Sequence, residues 1–149
     1  MTTEGEGADY LDDAIRRGVA PPNITVLPYQ PFDRLPEVLA SADVLVVILE
    51  PEASQFSVPS KTLSYLCANR AILASIPASN PAARLLSSRS HAGVVAEPSD
   101  RSRFISLALQ LASDAALRTQ LGDAGREFAE SNFVEAAVVD RFLNQIAHD

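Results

Sequence analysis

Between Ser57 and Ser75 the chain passes from a helix into a buried strand with no linker, and this junction limits the fold more than any other feature. Pro59 suits a first helical turn, where its missing N–H costs nothing and its fixed φ fits the helix. Leu63, Leu66 and Cys67 fall at i, i+3 and i+4, the spacing of one buried stripe. Ser60, Lys61, Ser64 and Ala68 lie along a different side. Ala71-Ile72-Leu73-Ala74-Ser75 follows Arg70 at once and reads as a strand. Upstream, Asp43-Val44-Leu45-Val46-Val47-Ile48-Leu49 is a continuous apolar run of strand length, as for a strand covered on both faces. The polar loop Glu50–Phe56 joins that run to the helix. Strand, helix and strand in this order make a parallel unit.

The rest of the chain repeats the alternation. Tyr10, Leu11, Ala14 and Ile15 support a helix over Asp9–Arg17, after a glycine-bearing turn at Glu4–Asp9. Gly18 and the pair Pro21-Pro22 stop it. Asn23–Pro28 is a short β-branched run, expected as a strand. Pro31–Ala42 carries a helix with Pro36 near its first turn. Ser79 or Asn80 caps another helix, with Pro81 at its first position. Ala92–Glu97 is the fourth expected strand. The last third is helical, in stripes at Phe104–Leu111, Leu117–Phe128 and Val138–Ile146, with a new start at Ser113-Asp114 and a break near Asn132. The class is α/β, a parallel sheet with flanking helices and a helical C-terminal cap.

Composition narrows the function. The chain has 149 residues, enough for one domain with a real core, and 47% of them are apolar. A net charge of −7 argues against a nucleic-acid binder or a basic membrane-surface protein. Apolar runs are too short to span a bilayer, and the N-terminus lacks a signal-peptide pattern. The single cysteine rules out an internal disulfide and suits the cytoplasm. The expected location is therefore cytoplasmic, including peripheral association with the inner face of the membrane. Cys67, on the apolar stripe, reads as a small core residue.

In doubly wound sheets ligands bind beyond the carboxyl ends of the strands. Here those ends are Leu27–Gln30, Leu49–Ser57, Ser75–Asn80 and Glu97–Asp100. The second leads into the helix start, which offers the hydroxyls of Ser57 and Ser60, the Lys61 ammonium and free backbone N–H groups. That combination suits a phosphate-bearing anion; the plain alternative is a capped helix with a surface lysine. Other groups fit ordinary surface roles. His91 and His148 are far apart, and no Cys, His or Asp spacing suggests a metal. Glu50 and Glu52 read as solvated loop carboxylates, and Arg70, Arg84 and Arg89 as surface charges. Gly5-Glu6-Gly7 is too short for a dinucleotide fingerprint, and neither a nucleophile elbow nor a Walker loop is present.

Together these residues resemble a family. The run from Asn23-Ile24-Thr25-Val26-Leu27 through Leu35-Pro36-Glu37-Val38-Leu39-Ala40-Ser41-Ala42-Asp43-Val44 is similar to a pattern in retaining glycosyltransferases with two Rossmann-like domains, the GT-B architecture of family four. Ser57-Val58-Pro59-Ser60-Lys61-Thr62-Leu63-Ser64-Tyr65-Leu66-Cys67-Ala68 resembles the signature of bacterial polysaccharide and aminosugar transferases of the colanic-acid and fucosamine type. Gly93-Val94-Val95, Leu117-Arg118, Leu121-Gly122, Arg126–Ala129 and Phe133 extend the likeness over nearly the whole chain.

The resemblance implies the lobe that holds a nucleotide-diphosphate sugar for transfer to a sugar or lipid-linked acceptor, with no metal and no further cofactor. The diphosphate would meet Ser57, Val58, Pro59, Ser60 and Lys61, with Lys61 as the catalytic group. The base would lie against Leu27, Pro28 and Tyr29, and the ribose near Ser64. Ser64 stands where the broader family often has a longer, charged glutamate. Asn69 replaces a usual glycine and Ala71 a usual proline; Asn tolerates the left-handed conformation, so the helix can still end there.

The resemblance also implies missing parts. The family's donor lobe begins with a strand, a helix and a strand ahead of Gly5-Glu6-Gly7, and those and the acceptor lobe are absent. Residues 1–149 are thus expected to be one N-terminally truncated Rossmann-like domain, inactive alone. Family sheets run 3-2-1-4-5-6, so Asn23–Pro28 would lack its neighbour and leave a gap or an exposed edge. The main expectation is a hexosyl or aminosugar transferase half. The alternative is a non-catalytic module that pairs with a separate acceptor-domain chain, or with itself, through that edge.

Overall fold

Three apolar runs become one parallel sheet, β1 (Val44–Ile48), β2 (Ala71–Ser75) and β3 (Gly93–Ala96), in the order β1-β2-β3. Ile48 pairs with Ser75, and Ser75 with Ala96, so the carboxyl ends of the strands share one rim. The computed structural model describes residues 6–49 and 59–135. It divides into two units, Met1–Val38 and Leu39–Asp149, and the sheet belongs to the second.

β2 is the middle strand, and its Ala71, Ile72, Leu73 and Ala74 are all buried. Its side chains alternate between two cores, as a strand's period of two requires. Ile72 and Ala74 join Val47, Leu66, Ile76, Leu86 and Ala129. Ala71 and Leu73 join Ala96, Leu107, Leu111 and Leu121. Helices cover both cores: α3 (Ser60–Leu66) and α4 (Pro81–Arg84) bring Leu66, Ala82 and Ala83 to the first, and α5 (Arg101–Ser113) brings Leu107 and Leu111 to the second. α6 (Ala115–Phe133) serves both, giving Leu121 to one and Ala129 to the other. The result is α/β, with a parallel sheet flanked by helices, compatible with a Rossmann-like domain.

α6 makes this crossing along the amino ends of the strands. A Cβ on Gly122 would stand 2.9 Å from the Asn69 carbonyl oxygen, so only glycine lets the helix approach so closely. Arg126 donates to the Cys67 carbonyl at 2.9 Å. Arg70 donates to the Ala40 carbonyl from Nη2 at 2.7 Å and from Nε at 3.2 Å. Asn69 has φ +53°, the left-handed turn expected between α3 and β2.

Helix ends follow local chemistry. Asn80 caps α4 by accepting from the Ala82 N–H at 2.8 Å, with Pro81 at the first position. A π turn, Leu85–Arg89, continues it. Asp114 ends α5 and caps α6, accepting from the Leu117 N–H at 2.8 Å.

In the first unit, α1 (Glu6–Arg16) ends at Gly18, with φ +69°. Gly18 N–H donates to the Ile15 carbonyl and Val19 N–H to the Ala14 carbonyl, which satisfies these two carbonyls of the last turn. A 3-10 turn, Phe32–Arg34, runs into α2 (Leu35–Ala40), which carries Pro36 in its first turn. Among the described residues no helix is long and apolar enough to cross a membrane.

Four expectations are corrected. Asn23–Pro28 is no strand: only Leu27 forms a single β-bridge, and Ile24 and Leu27 are 39% and 43% exposed. β-branched propensity is contextual, and this run lies between Pro21-Pro22 and Pro28, which cannot donate to a ladder. The sheet therefore does not include it, and the edge expected there does not form. β1 is covered on one face only. Leu45 and Val47 are buried, but Val46 and Ile48 are 45% and 65% exposed, because α5 packs over β2 and β3 instead. In α3 the buried face is Thr62 and Leu66, with Leu63 44% exposed. Cys67 follows the last helical residue as its C-cap and is exposed, so it is no core residue. The expected helix over Val138–Ile146 lies outside the described residues.

The Thr62 hydroxyl is fully buried and makes no hydrogen bond among the described residues. A buried unsatisfied hydroxyl costs about 1–3 kcal/mol, and valine keeps the shape without it. Thr62→Val should raise stability by about 1 kcal/mol in urea unfolding; a loss of stability would mean that the hydroxyl has a partner.

Candidate functional site

The rim formed by the strand carboxyl ends is where helix starts and loops converge. α3 follows β1 in the chain and has Pro59 ahead of it; after β2 the chain runs through Pro77–Asn80 into α4; after β3 it runs through Glu97–Asp100 into α5. Two of these loops are tied together. The Ala78 N–H donates to Glu97 Oε1 at 2.7 Å, joining the β2 exit to the β3 exit. Two of the helix starts are closed by their own side chains, α4 by Asn80 and α5 by Asp100, which accepts from the Arg103 N–H at 2.8 Å. The start of α3 differs: Pro59 provides no side-chain cap, and its carbonyl accepts from the Thr62 N–H at 2.9 Å.

The core side of α3 is taken by Thr62 and Leu66, so Ser60, Lys61 and Ser64 are left exposed. Lys61 makes no ion pair among the described residues. Tyr65, beside Ser64 in sequence, is half-buried against the first core. That burial raises its pKa above the usual 10.0, because the phenolate is desolvated.

The other expected residues stand as follows. Ser57 and Val58 lie outside the described residues, as do Glu50 and Glu52. Leu27, Pro28 and Tyr29 are exposed residues of the first unit, with Tyr29 67% accessible, and Gln30 Nε2 donates to the Pro28 carbonyl at 2.9 Å. Pro59, Ser60, Lys61 and Ser64 belong to the second unit. The structure brings Ser60, Lys61 and Ser64 onto one helix beside the rim. Among the described residues no three His, Cys, Asp or Glu side chains gather as a metal site.

The chain matches no known protein family, no curated protein and no solved structure.

Two clefts are open elsewhere. One, of about 480 Å³, lies on α1 beside Asp9, Asp12 and Arg16. The other, of about 630 Å³, lies over the amino half of β1, between Asp43, Val46 and Arg118. Neither includes the start of α3.

Glu97 was not singled out by sequence reasoning. Its signal was position: the first charged residue after an apolar strand, at the carboxyl end of a parallel sheet. Arg126 gave no local signal, since its carbonyl partner is 59 residues away.

Two outcomes are expected. Glu97→Ala should leave the fold intact, lower stability by no more than about 1.5 kcal/mol and speed amide exchange at Ala78; unchanged exchange there would show that the loops do not depend on this bond. Tyr65 favours its neutral form in the folded state. Its contribution is full below the ordinary value of 10.0 and is lost as pH rises through the raised folded value. Stability should therefore fall above pH 10 more steeply than in Tyr65→Phe, and identical pH profiles would contradict this.

Proposed function

We propose that this chain is the donor-binding half of a retaining glycosyltransferase. It would hold a nucleotide-diphosphate sugar at the start of α3 for transfer of a hexosyl or aminosugar group to a sugar or lipid-linked acceptor. The observation that carries the reading is the shared exposure of Ser60, Lys61 and Ser64 on α3, the helix that follows β1 in a parallel sheet. These are the residues that the family resemblance assigns to the diphosphate and ribose. The consecutive order β1-β2-β3 also agrees with the 4-5-6 run of the family's sheet.

The chemistry asked of the site is electrostatic. As the glycosidic bond breaks, the departing nucleotide diphosphate gains negative charge. A cation and N–H donors already aimed at it act more strongly in the transition state than in the bound donor. α3 has seven residues, so its dipole is the smaller contribution. A helix terminus contributes about 0.3–1 kcal/mol, whereas a hydrogen bond from a charged group contributes about 1.5–3 kcal/mol. Lys61 is therefore assigned the larger share. Ser60 would supply a neutral donor to a phosphate oxygen, and Ser64, one helical turn on, a short contact to the ribose. No general base or nucleophile is assigned, in keeping with a role of positioning and charge stabilisation.

Lys61→Ala should weaken binding of uridine diphosphate by about 1.5–3 kcal/mol, roughly 10- to 150-fold, in calorimetric titration. Lys61→Arg should retain part of the affinity through its charge. Equal affinity in Lys61→Ala and the unsubstituted chain would remove Lys61 from the site.

A further inference from the structure

We draw no further inference here: the strongest candidate, the apolar cleft of about 630 Å³ over the amino half of β1 lined by Val44, Val46, Leu73, Ala108 and Leu111, is an unpartnered face, and nothing in the structure shows what covers it.

Discussion

Burial of β2 between two parallel neighbours is the interaction on which the second unit depends. Ala71, Ile72 and Ala74 are fully inaccessible, and Leu73 nearly so. Among the described residues, the helices that touch the sheet do so through the two cores that this strand divides, α6 through both. At about 25 cal/mol per Å² of apolar surface, such cores outweigh the surface ion pairs. The four such pairs among the described residues all have side chains at least half exposed, where a pair contributes about 0–1 kcal/mol.

The two ends of the sheet are finished differently, and this separates stability from candidate function. At the amino end, α6 lies close against the turn before β2, Gly122 leaves room for the Asn69 carbonyl, and Arg126 and Arg70 donate to main-chain carbonyls. Backbone groups there are tied to other elements by charged donors. At the carboxyl end the contacts are more local: a glutamate holds one amide, and asparagine and aspartate side chains cap two helices. Among the described helices, only α3 begins there without a cap from its own leading residue, and it also presents an exposed lysine. The proposed donor site draws on that contrast between the two ends.

Much of the sheet was legible in the sequence, because β1, β2 and β3 are continuous apolar runs bounded by polar or turn residues. The caps were legible for the same local reason: Asn80 ahead of Pro81, and Asp114 between two amphipathic stripes. What failed was whatever depended on a partner. Asn23–Pro28 has strand composition but joins no sheet ladder. Val46 and Ile48 have the composition of doubly covered residues, yet among the described residues no helix covers their face. In α3 the apolar spacing at Leu63, Leu66 and Cys67 suggested the wrong buried stripe, since Thr62 occupies the core and Cys67 falls past the last helical residue. The hydrogen-bond partners of Arg126 and Arg70, 59 and 30 residues away, had no sequence signal. The candidate site was legible in part, as Ser60, Lys61 and Ser64 share an exposed helix.

The account turns on whether the strand tips, and not the cleft over the amino half of β1, receive a nucleotide diphosphate. An amide-resolved NMR titration of the unsubstituted chain with uridine diphosphate tests this most directly. The account predicts saturable shifts centred on Ser60, Lys61 and Ser64, with the amides of Asp43 and Arg118 unmoved. Shifts confined to Asp43, Val46 and Arg118, or none at millimolar ligand, would contradict it.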